Sequence, residues 1–140
     1  MSLVRELMTP NPHAVDLTST LLDVVNRMQE FSVRQLPVVD ASGRLVGIVT
    51  DRDVRLAMTS PLVLHERKYD EQMMRDTPVE ACMTPDPMSV LPETPAYKAA
   101  EMLSAYKFGA LPVVDAAHKL VGIITVTDIL KHYALNFRPE

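Results

Sequence analysis

Apolar residues fall along this chain in two alternating rhythms, and the order of the rhythms recurs. Leu21, Val24, Val25, Met28 and Phe31 follow the three-and-four spacing of a helix face, and Ala96, Ala99, Ala100, Leu103 and Tyr106 do so again. These stripes are expected to be core. After the first come two short branched stretches, Leu36–Asp40 and Arg44–Val49, which predict a strand pair joined through Ala41-Ser42-Gly43. Gly43 can take a positive φ in that turn, and His118, at the equivalent place further on, belongs to a residue type that tolerates it. Pro37 and Pro112 cannot donate to a ladder and are placed at a strand's first residue or edge. Thr50 and Thr125 each open one more helix.

Upstream, residues 3–8 read as a short helical lead-in that would pack across the other half. Pro10 and Pro12 end it, because a residue before proline avoids the helical region. His13–Leu17 then suits a short strand. Ser19 is the predicted N-cap of the first long helix, and Thr94 followed by Pro95 the cap and first turn of its counterpart. A partly helical, solvent-facing span is expected around Glu66–Met74.

The recurrence is a true repeat. Leu36 to Asp53, LPVVDASGRLVGIVTDRD, returns 75 positions later as LPVVDAAHKLVGIITVTD, without insertion or deletion. At the same offset Met8-Thr9-Pro10 matches Met83-Thr84-Pro85, Pro12 matches Pro87, and Val15 matches Val90. The division expected is a first motif with its lead-in helix at 1–60, a connector at 61–78, a second motif at 79–135 and a tail at 136–140. A half of about 60 residues buries too little surface to stand alone, so the copies are expected to share a core.

Composition changes little in this picture but excludes several functions. The net charge of −4 argues against broad nucleic-acid binding, which relies on basic surface. No stretch approaches the ~18 apolar residues that span a bilayer, and the start MSLVRELM lacks a signal-peptide core. The single cysteine, Cys82, rules out an internal disulfide and fits a reducing interior as a small half-buried residue. Cytoplasm is the expected location. His13, His65, His118 and His132 are scattered without metal-ligand spacing, and no phosphate loop or nucleophile motif appears, which argues against an enzyme.

The candidate chemistry sits at Thr50-Asp51-Arg52-Asp53 and its partner Thr125-Val126-Thr127-Asp128. Thr-x-x-Asp at a helix start is the spacing of a capping box. The same corner, where a strand runs into a helix N-terminus, also favours an anion. An acid there suits a ribose, whose vicinal hydroxyls want a carboxylate acceptor. The copies differ: Arg34 and Arg52 are replaced by Gly109 and Thr127, which removes two guanidinium forks from the second copy. Those arginines read either as a phosphate clamp or as solvated surface charge.

Met-Thr-Pro, an amphipathic helix, Leu-Pro-Val-Val-Asp and Gly-Ile-Val-Thr-x-x-Asp, in that order and twice over, resemble a tandem pair of CBS (cystathionine-β-synthase) motifs of the stand-alone bacterial kind. The resemblance implies an α+β fold, close to α/β, of two βαββα motifs related by a pseudo-twofold axis in one compact module. It implies adenosine-containing nucleotides in clefts lined by both motifs, of the AMP, ADP or ATP class ahead of S-adenosylmethionine or NAD(H), with no required cofactor. Carried over by motif position, Asp53 and Asp128 would meet the ribose, Thr50 and Thr125 the phosphate, and the strands at Val15 and Val90 the base. A homodimer is implied, with the helix faces Val24–Met28 and Ala99–Leu103 as contact candidates, and so is a regulated partner protein. The function expected is therefore ligand sensing without catalysis. The alternative is a structural dimerisation module whose clefts hold no functional ligand.

Overall fold

The computed structural model describes residues 1–58 and 67–139 of the chain, with the side chains of 67–70 left aside. The expected His65 and the first residue of the Glu66–Met74 helix lie outside the described residues. The chain divides into two compact units: a central unit, His13–Pro87, and a terminal unit, Met1–Pro12 together with Met88–Glu140.

The central unit holds β2 (Val15–Asp16), α2 (Leu21–Phe31), β3 (Gln35–Val39), β4 (Leu45–Thr50), α3 (Asp51–Met58), α4 (Arg67–Asp76) and β5 (Thr84–Pro85). Its sheet runs β2-β3-β4-β5, with β2 parallel to β3 and the other pairs antiparallel. The terminal unit holds α1 (Val4–Leu7), β1 (Thr9–Pro10), α5 (Ala96–Tyr106), β6 (Ala110–Val114), β7 (Leu120–Thr125) and α6 (Val126–Asn136), with sheet order β1-β7-β6. Val90 makes a parallel bridge to Val113, the counterpart of the β2–β3 pairing. Both hairpins carry a register shift at the same place, between Val38 and Val39 and between Val113 and Val114.

The two copies of the repeat exchange their leading segments, so that each compact unit contains chain from both. Thr84-Pro85, which opens the second copy, is the edge strand on β4, while Thr9-Pro10, which opens the first, is the edge strand on β7. The first amide of α2 donates to the Thr77 carbonyl at 3.0 Å, and that of α5 to the Ser2 carbonyl at 2.9 Å. Val79 donates to the Ser19 carbonyl at 2.9 Å, and Val4 to the Thr94 carbonyl at 2.8 Å. All four are equivalent pairs at the repeat offset, so each copy's first long helix is capped by backbone in front of the other copy. Proline tolerates the edge position because its missing donor faces away from the ladder.

Two glycines explain why the exchange is tight. A Cβ added at Gly47 would lie under 3.0 Å from Met83 Sδ, and one at Gly122 under 3.0 Å from Met8 Sδ. In each unit the methionine of the Met-Thr-Pro stretch therefore rests directly on the glycine of the Leu-Val-Gly-Ile strand. The turns of the two hairpins match as well: Gly43 has φ 86° and His118 φ 64°. Asp40 Oδ1 accepts from the Ser42 and Arg44 amides and from the Ser42 hydroxyl, and Asp115 Oδ1 from the Ala117 and Lys119 amides. The Ser42 hydroxyl and the amide bonds hold the Asp40 carboxyl below its ordinary range.

Several expectations change. Thr20, not Ser19, caps α2, in a box with Asp23; Ser19 Oγ instead accepts from the Asp16 amide at 3.3 Å. Pro95, whose ring has no hydrogen-bonding atom, occupies the cap position of α5 in place of Thr94. The Thr94 hydroxyl instead accepts from the Leu91 amide, and the Ser2 carbonyl takes the first amide of the helix. The strand expected over His13–Leu17 is only Val15–Asp16, and the charged connector helix runs Arg67–Asp76. Val24, Met28, Ala99 and Leu103 all lie in the two cores, so they are not available for contact with another molecule. Tyr106, assigned to the core stripe, is 55% exposed.

Replacing Gly47 or Gly122 by Ala is expected to cost about 1–3 kcal/mol, because the thioether has to leave its seat. Urea titration of Gly47→Ala, Met83→Ala and the double variant checks this: the double should lose less than the sum of the singles, since one contact is removed twice.

Candidate functional site

Each unit carries one strand-to-helix corner. In the central unit the Thr50 amide donates to Asp53 Oδ2 at 2.9 Å, and the Asp53 amide to Thr50 Oγ1 at 3.1 Å. In the terminal unit the Thr125 amide donates to Asp128 Oδ2 at 2.8 Å, and the Asp128 amide to Thr125 Oγ1 at 3.1 Å. The capping box is thus formed in both copies. The first amide of each helix is satisfied by the residue just before the first strand of the hairpin: Asp51 donates to the Arg34 carbonyl at 2.8 Å and Val126 to the Gly109 carbonyl at 3.1 Å.

These bonds leave one amide in each first turn, that of Arg52 or Thr127, without a partner among the described residues. The helix start alone is therefore a weak anion holder. What the corner offers in addition is the second oxygen of each carboxylate, since the box engages only Oδ2. Asp53 and Asp128 are half-buried, and their rotamers are fixed by the box, so that second oxygen is presented without further ordering.

The structure brings Arg34 and Arg52 to the same corner, one hydrogen bond apart through the Asp51 amide. Both side chains are exposed, and neither guanidinium meets a carboxylate among the described residues. The terminal corner has Gly109 and Thr127 in their places. Val15 and Val90 behave differently: both are buried, in the central and terminal core respectively. The Val90 amide and carbonyl are also committed, to the Pro112 carbonyl and the Val114 amide. Their side chains thus hold the strands in place, and any ring contact there would come from neighbouring residues.

Two features were not legible beforehand. Cys82 lies close enough to Asp53 that the carboxylate adds to the effect of burial, and the two push its thiol up. The partner position in the terminal unit is Leu7. The exposed His13 ring stacks flat on Phe31, with centroids 3.5 Å apart and planes at 10°. Nothing in the spacing of either residue signalled that contact, which joins a loop to a helix end. Among the described residues no group of three His, Cys, Asp or Glu is placed to share a metal ion, and no helix is long and apolar enough to cross a membrane.

The family model for the CBS domain matches residues 4–60 and 79–135. The fold and its two corners are those of a tandem CBS pair, and the chain belongs to the CBS-domain family. It is 34% identical over 128 residues to a CBS domain-containing protein of Dictyostelium discoideum, covering 91% of this chain and 88% of that one. A crystal structure of CBSX2 in complex with AMP superimposes with a TM-score of 0.85 at 32% identity, covering 99% of this chain and all of the other; CBSX2 is a protein of Arabidopsis thaliana. An inosine-5'-monophosphate dehydrogenase of Methanocaldococcus jannaschii is 32% identical over 129 residues, but the match spans only 22% of that enzyme. The motif thus occurs both alone and as a minor part of enzymes.

Thr50→Val and Thr125→Val, which remove the cap oxygen while keeping the shape, are each expected to destabilise by about 1 kcal/mol. Urea midpoints test this, and the two effects should add, since the boxes lie in separate units.

Proposed function

We propose that this chain is a regulatory module that binds adenosine-containing nucleotides of the AMP, ADP or ATP class at its strand-to-helix corners and signals to a partner protein. It catalyses nothing, requires no cofactor, works in the cytoplasm and pairs as a homodimer. In this reading the free oxygen of Asp53 or Asp128 accepts from a ribose hydroxyl, and Thr50 or Thr125 lies by the phosphate. The observation that carries it is the central corner, where two unpaired arginines and a pre-set carboxylate meet one open helix amide. The AMP complex of CBSX2, at 32% identity, supports the ligand class.

The corners are not equivalent in this scheme. Arg34 and Arg52 give the central corner its preference for a phosphate-bearing ligand. The terminal corner, with Gly109 and Thr127, favours a neutral adenosine moiety. A structural module without a functional ligand is the second reading, and the capping boxes favour it, since they already employ Thr50, Asp53, Thr125 and Asp128.

Thermal denaturation with AMP, ADP, ATP, NADH and S-adenosylmethionine separates the two. A ligand at a hundred times its Kd adds about 2.7 kcal/mol, which raises Tm by several degrees. No shift with any of them sinks the sensing proposal.

Asp53→Asn sharpens the assignment. Asparagine keeps an acceptor for the Thr50 amide and is itself a good cap, so stability should change by only a few tenths of a kcal/mol. The amide nitrogen, however, offers a ribose hydroxyl a donor in place of an acceptor. AMP affinity is expected to fall about tenfold, as it should in Arg34→Ala and Arg52→Ala, whose charge-assisted bonds are worth about 1.5–3 kcal/mol each. Calorimetry reads both, and unchanged affinity in all three would move the site elsewhere.

A further inference from the structure

The connector helix α4 has no counterpart among the described residues of the terminal unit. In the central unit α4 lies against α2 and α3, with Met73 and Met74 half-buried and Met74 packed on the core beside Val25, Ala57 and Met58. It ends at Asp76, directly before Thr77, whose carbonyl takes the first amide of α2. At the repeat offset Asp76 corresponds to Met1, and Thr77 to Ser2, whose carbonyl takes the first amide of α5. The short helix α1 touches α5 and α6, but it matches the turn at Val79–Ala81 and not α4.

At the place that α4 takes in the central unit, the terminal unit has an open groove between α5 and α6, lined by Ala96, Tyr97, Ala100, Ile129, His132 and Tyr133. Ala100, His132 and Tyr133 are the counterparts of Val25, Ala57 and Met58, the residues beside Met74. Tyr97 and Tyr133 are 53% and 63% exposed, whereas their counterparts Leu22 and Met58 are half-buried. One end of the groove is closed by Phe137, stacked on Tyr133 with centroids 4.9 Å apart. At another edge Ser2 Oγ and His132 Nε2 lie 3.1 Å apart, which ties the capping segment to α6. The cavity is about 240 Å³ and open to water. Pockets that enclose a small molecule run from roughly 300 to 1,000 Å³, so this shape suits a row of side chains better than a small ligand.

We propose that this groove takes a short amphipathic helix of the regulated partner protein, lying across α5 and α6 as α4 lies across α2 and α3. Three observations select that occupant. First, the other half of the repeat shows what covers such a helix pair: a helix of ten residues, about three turns, with methionines turned inward. Second, Ala96 and Ala100 make a floor small enough for a helix to approach at the usual 8–10 Å between axes. Tyr97 and Tyr133 stand on either side as aromatic anchors, the residue type that interfaces favour. Third, the α4 of a second copy is no substitute. Its own core already holds Met74, and it would have to leave that seat to reach another molecule. The partner's helix therefore carries long, unbranched apolar side chains in its last turn, where a flexible chain such as methionine fills an irregular groove. Ile129 directly follows Asp128, so the groove and the terminal corner share one helix.

This rests on the regulated partner proposed above, and it can fail while nucleotide binding stands. The probe is a fluorescein-labelled peptide with the sequence of residues 67–78, the helix that the repeat already seats once. Fluorescence anisotropy against the full chain is expected to show saturable binding, weakened about tenfold or more by Tyr133→Asp. Binding should vanish when the peptide carries Met73→Asp and Met74→Asp. Tyr133 is exposed, so circular dichroism of the Tyr133→Asp chain should be unchanged. The same helix can be supplied in cis, with the sequence of residues 67–76 placed ahead of Ser2 in place of Met1. Its effective concentration is then about millimolar, and Tm should rise by several degrees, a gain that Tyr133→Asp removes. That cis gain upholds the proposal even where the free peptide binds too weakly to measure. No binding in trans together with no gain in cis overturns it, and so does binding indifferent to Tyr133→Asp. Light scattering adds a further check: a dimer of the chain that the peptide dissolves would assign the groove to a second copy and overturn the partner's helix. Thermal shifts by nucleotide are read independently of all these results.

Discussion

A methionine thioether seated on a bare glycine backbone is the contact on which the rest of this molecule depends. It is made twice, by Met83 on Gly47 and by Met8 on Gly122, and each time the methionine lies near the start of one copy of the repeat while the glycine lies in the other. The contact seats the following Thr-Pro as the edge strand, and the same leading segments supply the carbonyls that cap α2 and α5. Neither copy is therefore a complete folding unit in its own sequence. The strand that closes its sheet and the carbonyl that starts its first long helix both come from the segment leading into the other copy. This answers the size difficulty of a repeat about 60 residues long: the chain makes two cores by exchange, where two short domains in series would each be underfilled. It also explains why Met-Thr-Pro and Gly-Ile reappear in both copies, since an exchanged contact constrains both ends at once.

The order of elements was legible in the sequence because it rests on periodicity, and the repeat doubled every signal. The helix stripes, the strand pairs, and the turns at Gly43 and His118 were all readable before any coordinates. What was not legible depended on a partner distant in sequence. Ser19 and Thr20 are both good caps by composition, and only the Thr77 carbonyl arriving at Leu21 fixes where α2 begins. Pro95 sits at a cap position for the same reason, its helix being started by Ser2. The helix faces were misassigned because an apolar stripe does not announce which of its sides meets the sheet. Tyr106 and α6 illustrate the converse, being apolar residues left outside the core.

At the corners, the Thr-x-x-Asp spacing gave the local geometry but not its cost to ligand binding. The box that fixes the aspartate also consumes amides that a phosphate would use, and the carbonyl of Arg34 or Gly109 takes another. A helix start built this way holds an anion poorly without help. The arginines of the central corner are the kind of help required, because a guanidinium supplies charge and two parallel donors where the backbone has only one left. Capping and ligand contact are not rival roles under these conditions. The cap restricts the carboxylate to one orientation before any ligand arrives, which lowers the entropy lost on binding.

The differences between the copies then form one pattern. Arg34, Asp51, Arg52 and Arg55 of the first copy correspond to Gly109, Val126, Thr127 and Leu130 of the second, so every one of these charges lies on the central unit. A duplicated fold gives two equivalent frames, and a frame need not perform the same task twice. Charges beside the central corner favour an anionic ligand and oppose apolar contact on the adjoining helix, because they would have to shed water to be covered. In the terminal unit the same positions carry no guanidinium at the corner and leave an apolar helix face exposed to water. The two units thus differ by one electrostatic change, which falls on both the corner and the adjoining helix. A single arginine placed at position 109 or 127 would return charge to the terminal corner, and one at position 130 would return it to the adjoining helix face.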